Sequence, residues 1–138
     1  MITVLIADDH MMVREVLRRL LERADDIQIV AMASNGQEAV EEAVLHCPNV
    51  AVMDFSMPIM DGVEATKQIC ARCPQTRVLV FSMYAAPWYI QRSMQAGALG
   101  YVLKDGVDID LVIAVRSLHQ GNRYYSKQIA EIAKRYIQ

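Results

Sequence analysis

Three carboxylates, Asp8, Asp9 and Asp54, stand directly after short apolar runs, Ile2 to Ala7 for the first two and Val50 to Met53 for the third. An uninterrupted, partly β-branched run reads as a strand buried on both faces, so each carboxylate comes at the carboxyl end of a strand. In open α/β sheets, the crevice outside those ends is where ligands and chemistry sit. Two like charges ~4 Å apart repel by about 4 kcal/mol at an effective dielectric of ~20, so such a trio calls for a cationic partner. A hard divalent cation, Mg²⁺ or Mn²⁺, fits a site of carboxylates, backbone oxygens, waters and phosphate oxygens. Lys104, after the run Tyr101 to Leu103, is a second counter-charge, able to reach a carboxylate or a phosphoryl oxygen. Ser82 closes the run Arg77 to Phe81 in the same way. Singly, each has a plainer explanation. Asp8 and Asp9 suit a helix cap, Lys104 a solvated charge, Tyr101 a half-buried strand, and Ser82 alone carries no meaning. Their joint occurrence at successive strand ends carries the weight.

The elements that must hold these residues are legible from spacing. Strands are expected at Ile2 to Ala7, Ile27 to Ala33, Val50 to Met53, Arg77 to Phe81 and Tyr101 to Leu103. Between them, Val13, Val16, Leu17, Leu20 and Leu21 recur at helical spacing, and Ser34 with Gln37 reads as a capping box for a second helix. A third helix starts near Val63 and stops before Pro74, a fourth spans Tyr89 to Gln95 and closes at Gly97, and a fifth over Leu111 to Leu118 ends at Gly121. Such alternation with short connections implies an α/β domain with a five-stranded parallel sheet covered on both faces. The flavodoxin-like, doubly wound order 2-1-3-4-5 is a common solution and brings Asp8, Asp9 and Asp54 together. Beyond Gly121, Ser126 can cap a sixth helix carrying Ile129, Ile132, Ala133, Tyr136 and Ile137.

Composition narrows the classes. A chain of 138 residues with 54% hydrophobic and 22% charged residues is one globular domain with a short extension. No apolar run approaches the ~20 residues needed to span a bilayer, and the N-terminus lacks a basic region and cleavage site, so a cytoplasmic protein is expected. A net charge of -2 with scattered Lys and Arg gives no footprint for nucleic acid. Cys47, Cys70 and Cys73 read as reduced thiols. Cys70 and Cys73 have a CxxC spacing but fall at a helix C-terminus, which argues against redox work; zinc with His46 and Cys47 fits no familiar spacing.

Asp8-Asp9, the stretch Asp54-Phe55-Ser56-Met57-Pro58-Ile59-Met60-Asp61-Gly62, Ser82, Tyr101 and Lys104 together resemble the receiver domain of bacterial two-component response regulators. Phe81-Ser82 and Gly100-Tyr101-Val102-Leu103-Lys104-Asp105 are more narrowly similar to the NarL/FixJ class, whose output is a DNA-binding helix-turn-helix of LuxR type. The resemblance covers residues 1 to 121. It implies that Asp54 is a phosphoacceptor served by a sensor histidine kinase, and that Asp8, Asp9, Asp54 and the Ser56 backbone carbonyl hold Mg²⁺. It further implies that Lys104 and Ser82 contact the phosphoryl group and that Tyr101 turns inward as Ser82 moves. On this reading the chain is no enzyme toward other molecules. It controls an output, transcription, through a switched surface, a homodimer among its partners, and touches DNA only through an output domain absent from this chain. Residues 122–138 are then a linker toward that domain; the other reading is a stand-alone or degenerate receiver working by protein–protein contact, with the sixth helix docked or forming a dimer seam.

Rival readings lack a residue. A phosphatase of the haloacid dehalogenase type wants a second Asp where Ser56 stands, and a flavodoxin phosphate loop is incompatible with Asp8-Asp9. Met83 replaces the small residue usual after the hydroxyl position, which implies slow phosphoryl turnover. Trp88 and Tyr89, opening the fourth helix, form a candidate partner surface, against the alternative of half-buried packing.

Overall fold

Period-two alternation in the central strands decides the architecture, because it gives each strand two apolar faces. In the computed structural model, which describes residues 1–105 and 107–137 and leaves out the side chains of 107–110, Gln138 of the expected linker lies outside the described residues. The strands are β1 (Ile2–Ala7), β2 (Ile27–Ala33), β3 (Val50–Asp54), β4 (Arg77–Ser82), β5 (Gly100–Leu103) and β6 (Tyr124–Tyr125). The helices are α1 (Met11–Glu22), α2 (Gly36–His46), α3 (Gly62–Arg72), α4 (Pro87–Gln95), α5 (Val107–His119) and α6 (Lys127–Tyr136).

All strands are parallel, in the order β2-β1-β3-β4-β5-β6. The expected order 2-1-3-4-5 is present, with one correction: a sixth strand extends the sheet past β5. Tyr124 and Tyr125 pair with Gly100 and Tyr101. Gly100 permits this approach, since a Cβ there would lie 2.8 Å from the Tyr124 carbonyl oxygen.

Val4, Ile6, Val50, Val52, Leu79, Phe81 and Val102 face one core, closed by Leu17 and Leu21 of α1 and by Leu111, Ala114, Val115 and Leu118 of α5. Leu5, Ala7, Ala51, Met53, Val78, Val80, Tyr101 and Leu103 face the other, under α2, α3, α4 and α6. This is the two-sided burial expected of a doubly wound sheet. The stripe on α6 is spent here: Ile129 is wholly buried, Ala133 is buried, and α6 packs on α4, β5 and β6.

Two capping expectations need correction. The N-cap of α2 is Asn35, not Ser34: its side chain accepts from the Glu38 N–H, while Ser34 donates to the Glu38 carboxylate through both its N–H and its hydroxyl. The cap thus pairs Asn35 with the Glu38 N–H, while the Glu38 carboxylate reaches back to Ser34, and an ionised N3 residue adds favourable charge that Gln37 lacks. Ser126 is the N-cap of α6 by position, yet its Oγ accepts from the Leu103 N–H at 3.3 Å rather than from its own helix. The hydroxyl is drawn to β5 because the Ser126 N–H already bonds the Tyr101 carbonyl at 3.1 Å.

Candidate functional site

Register alone gathers the site at the carboxyl edge of the sheet. Ala7 stands opposite Met53, Asp54 opposite Phe81, and Ser82 opposite Leu103. One residue further along, Asp8, Asp54, Ser82 and Lys104 therefore end adjacent strands. The loop after Asp54 is folded back tightly. Asp61 caps α3 by accepting from the Glu64 N–H at 2.8 Å, and the Gly62 N–H returns to the Phe55 carbonyl at 3.0 Å. Only glycine fits there, because a Cβ on Gly62 would lie 2.0 Å from the Asp54 carbonyl oxygen.

Asp8 is fully buried and Asp54 nearly so. The Lys104 ammonium lies between them, 3.3 Å from Asp8 Oδ2 and 3.3 Å from Asp54 Oδ1, and 5.4 Å from the centre of the Phe81 ring beneath it. Burial and the Asp8 charge push the Asp54 carboxyl up from 3.8 to about 6, against the opposing pull of Lys104 and the Ser56 N–H. The Ser56 N–H reaches Asp54 Oδ1 at 3.4 Å. Asp9 is exposed at the rim. Neither Asp8 nor Asp9 is the N-cap of α1; that position is His10, which makes no side-chain cap bond. Asp8 Oδ1 instead accepts from the His10 N–H at 2.9 Å.

Two participants are absent from the expected set. His10 Nδ1 lies 3.2 Å from Asp8 Oδ1 and 3.1 Å from Asp9 Oδ1, and Arg14 donates to the Asp8 carbonyl at 2.7 Å. Among the described residues, the group of ligand atoms close enough for one metal ion is Asp8, Asp9 and His10, all within 4.8 Å of one another; Asp54 adjoins it through Asp8 and Lys104. The signal in the sequence was His10 itself, next to an acidic pair at a strand end.

Ser82, Tyr84 and Tyr101 form a linked set. Tyr101 is wholly buried on the inward side, and its hydroxyl donates to the Tyr84 carbonyl at 2.6 Å. Burial pushes that phenol up to about 12, with a contact to the Ser82 hydroxyl acting the other way. The Tyr84 N–H donates to Ser82 Oγ at 3.0 Å, so one short segment ties Ser82 to Tyr101. Tyr84 stacks on Tyr89 at 4.3 Å, and Phe55, next to Asp54, meets Tyr84, Trp88 and Tyr89. Trp88 remains 56% exposed with Arg92 over its ring, so this cluster is packed within and open outside. Met83 is exposed beside Lys104. Burial raises both the Cys70 and Cys73 thiols, which keeps them protonated and unreactive.

Comparison with known proteins adds an independent line. A family model described as the response regulator receiver domain matches residues 4–116. The transcriptional regulatory protein DesR of Bacillus subtilis (strain 168) is 34% identical over 131 residues, covering 95% of this chain and 65% of that protein. Response regulator UvrY of Escherichia coli (strain K12) is 37% identical over 131 residues, covering 95% of this chain and 60% of that protein. The chain thus spans less than two thirds of the length of these relatives. A solved two-component response regulator of the LuxR family, from Aurantimonas sp. SI85-9A1, superposes with a TM-score of 0.92 at 34% identity, covering 99% of this chain and 98% of that one.

Proposed function

Because the chain belongs to the response regulator receiver domain family, we propose that Asp54 accepts a phosphoryl group from a phosphohistidine of a sensor histidine kinase. The observation that carries this is the buried Asp54 carboxyl, paired with the Lys104 ammonium that it shares with the buried Asp8 at the carboxyl edge of the sheet. With its carboxyl at about 6, Asp54 is mostly ionised at neutral pH yet poorly solvated, which suits a nucleophile. An Asp54 oxygen attacks phosphorus, the P–N bond breaks, and its electron pair and a proton go to the departing imidazole. Lys104 offsets charge on the incoming oxygens, and the Ser82 hydroxyl donates to one of them.

The residues fit a divalent cation. Three carboxylates, Asp8, Asp9 and Asp54, share the single ammonium of Lys104, an excess of negative charge that a hard cation would neutralise. Asp9, Asp54 and the Ser56 carbonyl would hold Mg²⁺ or Mn²⁺, with Asp8 behind them, and the ion would supply charge neutralisation for the transferred group.

The product carries roughly -1.5 to -2 charge where a carboxylate stood, enough to re-order the Ser82–Tyr84 segment and, through Tyr101, the surface of α4 and β5. That surface, with Trp88 and Tyr89, is the readout for a partner or a second copy, and transcription is controlled through a DNA-binding output domain outside these residues. Intracellular signalling in the cytoplasm follows from a kinase donor. The test is incubation with Mg²⁺ and acetyl phosphate followed by intact mass. One acid-stable, base-labile phosphoryl group, absent in Asp54→Asn, is expected; no adduct with any donor overturns the proposal and leaves an interaction-only receiver.

A further inference from the structure

Arg14, half-buried near the start of α1, donates from its guanidinium to the Asp8 main-chain carbonyl at 2.7 Å. An arginine beside clustered carboxylates ordinarily takes one of them in a forked ion pair. Among the described residues Arg14 forms no such pair, and its side chain is spent on the peptide that joins Asp8 to Asp9. That peptide governs Asp9. Asp54 is oriented by Lys104 and the Ser56 N–H, and Asp8 by Lys104 and the His10 N–H. The Asp9 carboxylate, exposed at the rim, has only the exposed His10 ring at 3.1 Å among the described residues, so the backbone beneath it sets its direction. The Asp8 N–H donates to the Ala33 carbonyl at 3.1 Å, the His10 N–H returns to Asp8 Oδ1 at 2.9 Å, and the Arg14 N–H bonds the His10 carbonyl at 3.0 Å. The guanidinium bond to the Asp8 carbonyl is shorter than any of these, and its donor carries a full charge.

We propose that Arg14 is a positioning residue for the cation site: it fixes the Asp8–Asp9 peptide so that the Asp9 carboxylate faces the ion shared with Asp54, and it does so without occupying a carboxylate that the ion needs. The proposal rests on the cation part of the reading above and not on phosphoryl transfer. Mg²⁺ demands near-ideal octahedral oxygen geometry, so a ligand whose direction depends on its backbone is where the loss of a supporting bond is felt. The charge of Arg14 works against this role, because a positive group near a cation site weakens binding by repulsion. Positioning and charge therefore predict opposite signs when the side chain is removed.

The experiment measures Mg²⁺ affinity by calorimetry, and the rate of labelling by acetyl phosphate as a function of Mg²⁺, in wild type, Arg14→Met, Arg14→Lys and Arg19→Met. Met keeps an apolar stem and a high helix propensity, so α1 stays folded, which circular dichroism verifies. Arg19, 74% exposed and 3.7 Å from Glu15, supplies the same change of net charge on α1 without a bond to the Asp8 carbonyl. Arg14→Met should bind Mg²⁺ on the order of 10-fold more weakly, and its slow labelling at low Mg²⁺ should recover once Mg²⁺ is saturating. Arg14→Lys, which retains the charge and a donor, should recover most of the affinity, and Arg19→Met should lose none. Unchanged or tighter Mg²⁺ binding in Arg14→Met overturns the proposal, even where denaturation shows a loss of stability. A labelling deficit that saturating Mg²⁺ leaves in place, or an equal loss in Arg19→Met, overturns it as well. A wild-type chain that binds no Mg²⁺ overturns it together with the cation reading. Mg²⁺ binding without an acetyl phosphate adduct overturns the Asp54 reading, and the affinities alone then decide for or against Arg14.

Discussion

Replacing Lys104 by Met keeps the length of the side chain and deletes the one ammonium between two buried carboxylates. At 3.3 Å from Asp54 Oδ1, a unit charge contributes about 5 kcal/mol of gross attraction at an effective dielectric of about 20. Desolvation and residual solvent screening remove much of this, since the Lys104 side chain is 21% exposed. A third of it still exceeds the 1.36 kcal/mol that corresponds to one pKa unit. Asp54, already at about 6, should therefore rise by about one unit or more in Lys104→Met, leaving half or less of it ionised at neutral pH. Asp8→Asn should move it the other way, because the Asp8 charge is the second cause of the rise after burial. Carbon-13 NMR titration of the Asp54 carboxyl, in metal-free protein, reads both directly. An Asp54 that stays put or falls in Lys104→Met would refute the electrostatic account of the site.

Three further outcomes follow from the burial and packing of the site and of α6. In metal-free protein, raising the Asp54 pKa from 3.8 in the unfolded chain to about 6 means that its contribution to stability is fully present below 3.8 and is lost as pH rises through about 6. At 1.36 kcal/mol per unit the loss is about 3 kcal/mol; denaturant midpoints of wild type and Asp54→Asn between pH 4 and pH 7 should diverge accordingly, and parallel curves would contradict it. Gly62→Ala places a Cβ 2.0 Å from the Asp54 carbonyl oxygen, which should cost about 3 kcal/mol and slow phosphorylation as well, measured by denaturation and by adduct formation. Ile129→Ala empties a wholly buried site between α6 and the sheet and should cost about 3 kcal/mol; a loss under about 1 kcal/mol would mean that α6 is not docked in solution.

The sequence disclosed most of what places the site, for a physical reason. Strands buried on both faces leave long apolar runs, and those runs end on Asp8, Asp54, Ser82 and Lys104, so strand ends and side chains of interest were read together. What could not be read depends on contacts remote in sequence. Tyr124-Tyr125 is too short to show alternation, and it is a strand only because Gly100 lets it approach β5. Ser126 has every local mark of a cap, but its hydroxyl is spent on Leu103. The aromatic pair opening α4 was visible in the sequence, but its packing with Phe55, from the loop after β3, was not, because that contact joins segments that follow neighbouring strands. His10 was visible as a residue type beside the acidic pair, but its ring position follows from the extended backbone at the start of α1.

The central claim is that Asp54, rather than its buried neighbour Asp8 or the exposed Asp9, takes the phosphoryl group. Borohydride reduces an acyl phosphate to the alcohol, which converts a phosphorylated aspartate to homoserine and marks the residue permanently. Peptide mass spectrometry of reduced, acetyl phosphate-treated protein should find homoserine at position 54 and aspartate at positions 8 and 9. Homoserine at 8 or 9, or at none of the three after treatment with Mg²⁺ and donor, would contradict the account.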